Sequence, residues 1–275
     1  MSKPTKILWV NPIGSPAYDD PMGEVMAGIK SSGSQVDVVS LSTPHLPEHL
    51  EYRAYSSLIV GDMVKVARWA DEEGYHAMVI GCFYDPALED AREISGQTVV
   101  VAPCQASVQI AANLANRFSV IIGQEKWAVQ MRERVSAYGY SERLASMRAI
   151  EIGVPDLQKD VCFTTERIME AGRRAVEEDK AEALILGCTC SFGMHETLQR
   201  ELGVPVIDPI IASFKMAEFL GGLQNSLGLT PSNKWSSAPP PEAEIEQFGI
   251  FSGGAPIGNK ASSTGRSRNA TCSAI

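Results

Sequence analysis

Two cysteines draw attention because each follows a glycine at the end of a short apolar run. Residues 77–80 lead into Gly81-Cys82, and residues 183–186 lead into Gly187-Cys188, 106 residues later. A thiolate can remove a proton from carbon, and a thiol can return one. Two such groups on opposite faces of a substrate would invert a carbon stereocentre that bears an acidic hydrogen, and this chemistry needs no cofactor.

The likeness between the two stretches continues beyond the cysteines. The same offset of 106 residues carries residues 103–107 onto residues 209–213 without a gap. An earlier pair, residues 7–12 and 118–123, fits the same duplication with an offset of 111. A repeat of this size indicates two similar structural halves.

The elements that must position the cysteines are strands and helices in alternation, which predicts an α/β fold. The apolar runs are continuous, as is typical of parallel strands covered on both faces. Predicted strands are 7–10, 36–41, 77–80, 99–102, 118–122, 183–186 and 204–207. Helical spacing of apolar residues is found between them at Trp127, Met131 and Val135, at Ile168, Ala171 and Ala175, and at Ile210, Phe214 and Ala217.

In open α/β sheets, ligands bind beyond the carboxyl ends of the strands, so both thiols are expected to face such a crevice. Each cysteine also precedes a predicted helix, whose N-terminus would favour the thiolate and lower the thiol pKa below its free value of about 8.5. If the halves pack about a pseudo-twofold axis, one site in the cleft between them receives a thiol from each.

The residues around the cysteines resemble those of a known family. Gly81-Cys82-Phe83-Tyr84-Asp85-Pro86 is similar to a Cys-Phe-Gly-Asp-Pro signature, and Leu186-Gly187-Cys188 is similar to a second-cysteine motif. Residues 144–148 and 206–209 also have counterparts. These motifs belong to the hydantoin racemase branch of the aspartate/glutamate/hydantoin racemase superfamily, and the resemblance covers roughly residues 7–223.

The resemblance implies a racemase or epimerase without a cofactor, in which Cys82 and Cys188 are the catalytic pair. It also implies two flavodoxin-like subdomains, a site in the cleft between them, and assembly into homo-oligomers. The expected substrate is a small polar carbon acid, most simply a 5-substituted hydantoin or an allantoin-like ureide. The expected subdomains are residues 1–104 plus 208–230 and residues 105–207.

Candidate substrate contacts surround the predicted strand ends. Backbone N–H groups near the cysteines are candidates for binding an anionic oxygen, and polar side chains after other strands are candidates for orienting the substrate, although serine there is equally often a helix cap. The candidates are Asn11, Pro12, Ser15, Phe83, Tyr84, Gln105, Ser107, Thr189 and Cys190. Cys188, Cys190 and His195 lack an evident fourth ligand, so no metal site is predicted.

Several positions depart from the family pattern and keep other chemistries open. Residues 11–15 replace an Asn-Pro-Asn-Thr loop, Tyr84 stands in place of glycine, and residues 188–194 form a longer motif whose opening is closer to the amino-acid racemases. The alternatives are an Asp/Glu racemase, a cysteine-dependent decarboxylase or a cis–trans isomerase on the same scaffold. A sensor that binds a small molecule without catalysis is the alternative of a different class.

Composition and charge limit the binding partners and the cellular compartment that can be expected for this chain. The net charge is −9 without a basic stripe, which argues against nucleic acid. No apolar run approaches the ~20 residues that span a bilayer, and none resembles a secretory signal, so a cytoplasmic protein with six reduced cysteines is expected. Residues 231–275 are rich in Ser, Pro and Gly and are expected to be a largely disordered tail, with residues 245–251 as a candidate docking segment.

Overall fold

Nine strands and ten helices make up the regular structure of the computed structural model, which describes residues 3–262. The strands are β1 (Thr5–Asn11), β2 (Ser34–Ser40), β3 (Ala77–Ile80), β4 (Val99–Val101), β5 (Phe118–Ile122), β6 (Leu144–Ala149), β7 (Ala183–Leu186), β8 (Val206–Ile207) and β9 (Ala261–Ser262). The helices are α1 (Asp19–Ile29), α2 (Arg53–Leu58), α3 (Val60–Glu72), α4 (Leu88–Ile94), α5 (Pro103–Leu114), α6 (Ala128–Ala137), α7 (Val161–Glu177), α8 (His195–Leu202), α9 (Pro209–Leu227) and α10 (Glu242–Phe248).

Two sheets share one topology, which confirms the predicted α/β fold with two similar parallel-sheet subdomains. The first sheet has the order β4-β3-β1-β2 in parallel, with β9 antiparallel at the β2 edge. The second has the order β6-β5-β7-β8, all parallel. Counted within its own half, each parallel sheet reads 2-1-3-4, the start of the flavodoxin-like order.

The burial of each strand explains whether its sequence predicts it. Every residue of β3, β5 and β7 is buried, as are the last five residues of β1, so these strands read as continuous apolar runs. The edge strand β6 was missed because only Met147 in it is buried, and its sequence mixes polar with apolar residues. A half-exposed edge strand does not produce a continuous apolar run.

The described residues divide into two units. The first comprises residues 3–81, Pro86–Ala102 and 214–262, and the second comprises Cys82–Asp85 and Pro103–Ser213. The turn that carries Cys82 therefore belongs to the second unit, not to the first subdomain to which the sequence analysis assigned it. Helix α9 begins in the second unit and belongs to the first from Phe214 onward.

The structure differs from the expected disorder over residues 231–262, whereas residues 263–275 lie outside the described part of the chain. Helix α10 buries Ile245, and Glu242 accepts hydrogen bonds of 3.0 and 3.1 Å from Arg68 on α3. Strand β9 pairs with the open edge of β2. An unpaired sheet edge and one apolar anchor order a segment that has no apolar periodicity of its own.

Four of the cysteines, Cys82, Cys104, Cys188 and Cys190, are free thiols. Cys162 is exposed at the start of α7, and Cys272 lies outside the described residues. Within residues 3–262, no helix is both long enough and apolar enough to cross a bilayer.

Candidate active site

The glycine before each cysteine allows the end of its strand to pack closely against the central strand of the sheet. Gly81 donates its N–H to Val10 O at 2.7 Å, and a Cβ added there would lie 2.9 Å from the same oxygen. Gly187 donates to Ile121 O at 2.7 Å, and its Cβ would lie 2.8 Å from that oxygen. Real Cβ atoms do not approach a carbonyl so closely, so glycine fixes where each cysteine leaves its strand.

The structure brings the two predicted catalytic cysteines together in the second unit. Both thiols are half-buried and pack against one apolar cluster that includes Phe83 and Tyr84. They are close enough that negative charge on Cys188 raises the pKa of Cys82. Because like charges on neighbouring groups repel each other, simultaneous ionisation of both thiols is disfavoured.

The predicted lowering of the thiol pKa is wrong for Cys82. Burial raises the pKa of Cys82 to about 12, and the backbone N–H of Tyr84, which donates to the sulfur, only partly opposes this rise. No helix begins directly after Cys82, since α4 starts at Leu88. Desolvation therefore outweighs hydrogen bonding, and Cys82 carries its proton at neutral pH.

Asp85 holds the turn that carries Cys82. Its carboxylate is completely buried and accepts hydrogen bonds from the backbone N–H groups of Cys104 and Gln105, at 2.8 and 2.9 Å, and from the Tyr138 hydroxyl at 2.7 Å. Its own N–H donates to Cys82 O at 3.0 Å. Burial raises the pKa of Asp85 to about 6, against the opposing effect of its three donors.

Cys188 is held differently, by a 3₁₀ turn that it caps. The N–H of Cys190 donates to Cys188 Sγ at 3.4 Å, and the N–H of Ser191 donates to Cys188 O at 3.0 Å. The side chain of Gln158 donates to Cys190 O at 2.7 Å. The Cys190 N–H, a predicted contact for substrate oxygen, is thus directed at the Cys188 sulfur.

Residues 7–217 match the family described as Asp/Glu/Hydantoin racemase. The chain belongs to this family. It is 32% identical over 223 residues to a hydantoin racemase of Pseudomonas sp. (strain NS671), covering 81% of this chain and 89% of the relative. It is 37% identical over 185 residues to a hydantoin racemase of Rhizobium meliloti, covering 67% of this chain and 76% of the relative.

Among solved structures, an allantoin racemase from Klebsiella pneumoniae superposes with a TM-score of 0.79 at 28% identity. That match covers 86% of this chain and 94% of the other. The family and these relatives make the protein an isomerase, a racemase of this superfamily.

The helix that follows β8 in this racemase also begins at a buried carboxylate. Asp208 accepts hydrogen bonds from the N–H groups of Ile210 and Ile211 at 2.8 and 3.3 Å. Its Oδ2 lies 3.8 Å from His195 Nδ1. Burial raises the pKa of Asp208, and positive charge on His195 acts in the opposite direction. Asp85 accepts hydrogen bonds from the first backbone N–H groups of α5, as Asp208 does for α9. The two aspartates do not align with each other in the repeat.

Three predicted contacts, Asn11, Pro12 and Ser15, lie in the first unit. Asn11 is buried at the end of β1, where its side chain accepts from Trp9 Nε1 at 2.8 Å and donates to Asp19 at 2.7 Å. Pro12 is buried, and the carbonyl of Ser15 accepts from the Ser40 hydroxyl at 2.9 Å. In the structure the Asn11 amide thus holds its own loop.

The remaining predicted contacts lie in the second unit. Phe83, Tyr84 and Thr189 are buried. Gln105 is half-buried, and its backbone N–H donates to the Asp85 carboxylate. Ser107 is completely buried on α5, and its hydroxyl has no hydrogen-bond partner among the described residues. Tyr138 and Gln158 are not predictable from the sequence, because each reaches a cysteine turn from a distant segment and lies in no motif.

Two further features bear on what the described residues can bind. Among residues 3–262, no group of three or more His, Cys, Asp or Glu side chains is arranged to hold a metal ion. Arg148, on β6, forms ion pairs of 2.7 Å with both Glu178 and Asp179. Its guanidinium is therefore engaged by carboxylates of this chain.

Proposed function

We propose that this racemase inverts an acidic carbon stereocentre with Cys82 and Cys188 as its two acid–base groups and without a cofactor. The observation that carries the proposal is the meeting of the two thiols on one apolar cluster, where the charge of one acts on the pKa of the other. General acid–base catalysis by groups so placed contributes about 10²- to 10⁴-fold in rate.

The proposed proton inventory starts from the protonated Cys82 thiol. Cys82 carries its proton at neutral pH, so it is the acid when the substrate hydrogen faces Cys188. The Cys188 thiolate removes that hydrogen, the electron pair moves onto the adjacent carbonyl oxygen, and Cys82 returns a proton to the opposite face. The product leaves a Cys82 thiolate and a Cys188 thiol, which is the form that processes the other enantiomer.

The proposed substrate is a hydantoin or an allantoin-like cyclic ureide. Relatives named hydantoin racemase and a structural neighbour named allantoin racemase support this class. In both ring systems the stereocentre lies next to a carbonyl group and a ring nitrogen. The carbonyl oxygen can accept the charge that develops when a thiolate removes the hydrogen.

Proton NMR in deuterium oxide tests the proposal, with single enantiomers of 5-substituted hydantoins, allantoin, aspartate and glutamate. We expect the stereocentre hydrogen of a cyclic ureide to exchange while optical rotation decays. A Cys82→Ala/Cys188→Ala double variant should abolish both, and Cys104→Ala, which removes a buried thiol of the same unit, should retain them. Turnover confined to aspartate or glutamate would refute the substrate class. Full activity in the double variant would refute the mechanism.

A further inference from the structure

We propose that Asp85, clamped by Tyr138, is a positioning residue that fixes the turn carrying Cys82. This inference rests on the proposed function, because it assigns Asp85 a part in the proton transfer made by Cys82. Asp85 itself is not placed against substrate, so it acts through Cys82 alone.

The geometry links one carboxylate to three parts of the second unit. Its donors come from the first turn of α5 and from Tyr138, which follows α6, and its backbone closes the turn on Cys82. The Asp85 backbone has a φ of 48°, in the left-handed region that non-glycine residues seldom adopt. Such a conformation persists when the surroundings determine it strongly, as the three donors do here.

Charged and titratable groups surround this carboxylate. Arg134 on α6 and the Tyr138 hydroxyl lower the pKa of Asp85. Negative charge on Asp85 raises the pKa of the Cys104 thiol. Negative charge on Cys188 raises the pKa of Cys82, and so does negative charge on Asp85. The carboxylate therefore holds the turn in place and also favours the protonated sulfur that the acid role requires.

Asp160 shows what an ordinary helix-capping aspartate looks like in the same unit. It is exposed at the start of α7 and accepts one backbone hydrogen bond, from Phe163 at 2.9 Å. A cap of this kind stabilises its helix without reaching a reactive group. Asp160→Asn is therefore the matched control for Asp85→Asn, since both replace a capping carboxylate by its amide.

The kinetic test compares Asp85→Asn, Tyr138→Phe and Asp160→Asn. In Asp85→Asn an amide NH₂ must face a backbone N–H, so we expect kcat to fall about 10- to 100-fold with KM within about threefold of wild type. Tyr138→Phe keeps the charge and removes one donor, so a fall in kcat of about 3- to 10-fold is expected. Asp160→Asn should leave both constants unchanged. Unchanged kcat in the first two variants, or an equal loss in all three, would overturn the proposal.

A second readout does not depend on turnover. The rate of Cys82 alkylation by iodoacetamide, followed by peptide mass spectrometry between pH 7 and 10, reports the thiolate fraction at that sulfur. Removal of the Asp85 charge should speed alkylation about 3- to 10-fold at a given pH, and Asp160→Asn should not change it. If the wild type racemises nothing while Asp85→Asn still changes Cys82 alkylation, the proposed function fails and the link from Asp85 to Cys82 stands. No change in alkylation would refute that link.

Discussion

The two cysteine turns leave their strands in the same way but are held by different means. Gly81 and Gly187 fit against the central strand of each sheet with hydrogen bonds of equal length, 2.7 Å. Beyond that point, the Cys82 turn is fixed by a buried carboxylate with three donors, whereas the contacts of the Cys188 turn include its own backbone, Gln158, and the Gly193 N–H that donates to Asp208.

The difference shows which parts of the duplication have been retained. The close approach at glycine and the strand order are repeated, so the point at which each sulfur leaves its sheet is repeated too. The anchors beyond it are not repeated, because Asp85 aligns with Ser191 at the offset that pairs the cysteines. We expect the Cys82 turn, whose carboxylate anchor is completely buried, to tolerate substitution of its anchor less well than the Cys188 turn tolerates loss of Gln158.

Disturbing the shared feature should have the largest effect. In Gly187→Ala the new Cβ would clash with Ile121 O, a backbone atom that cannot move alone. We expect a loss of about 2–3 kcal/mol in the free energy of unfolding, and a kcat at least about 100-fold lower because the sulfur is displaced. Urea denaturation and racemisation kinetics measure the two effects.

The matched glycine control is Gly28→Ala. This residue lies inside α1, where an added Cβ would meet nothing within 4 Å. The variant should gain about 0.5–1 kcal/mol of stability and keep wild-type kinetics. If Gly187→Ala behaves like Gly28→Ala, the close strand approach does not position Cys188.

The anchor of the Cys82 turn predicts a pH dependence of stability. The pKa of Asp85 in the folded chain is raised from 3.8 to about 6. The folded state thus binds this proton more tightly than the unfolded state, and stability falls as pH rises from about 4 through 6. The contribution is at most about 3 kcal/mol. Urea denaturation from pH 4 to 7 should show a shallower fall in Asp85→Asn than in wild type, and parallel curves would contradict the assignment.

Weakening the Cys188 turn should lower kcat less than weakening the Cys82 turn does. Gln158→Ala removes the side-chain donor to Cys190 O, a bond worth about 1 kcal/mol. We expect kcat to fall about 3- to 10-fold while Cys82 alkylation stays at the wild-type rate. The control is Lys159→Ala at the exposed neighbouring position. A loss as large as that of Asp85→Asn would show that the two turns depend equally on these side-chain anchors.

The smallest effect is expected away from both turns. Arg148 is paired with Asp179 and Glu178, so Arg148→Ala should change KM less than twofold and cost at most about 1 kcal/mol of stability. Steady-state kinetics and urea denaturation check both values. A KM raised tenfold would show that this arginine binds substrate.

The sequence predicts most of this fold because buried parallel strands leave continuous apolar runs, as residues 77–80 and 183–186 do. It also locates both cysteines through the repeat. It does not predict the raised pKa of Cys82, since desolvation depends on the packing of distant segments. Tyr138 and Gln158 were missed for a related reason, because their contacts span 53 and 32 residues without a local pattern.

The central claim is that Cys82 and Cys188 serve opposite faces of one stereocentre. It is tested most directly by offering each enantiomer of the substrate separately, in deuterium oxide, to Cys82→Ala and to Cys188→Ala. Both variants should racemise about 10²- to 10⁴-fold more slowly than wild type. Each should still exchange the hydrogen of one enantiomer, and that enantiomer should differ between the two variants. Wild-type racemisation by either variant, or exchange of the same enantiomer by both, would contradict the claim.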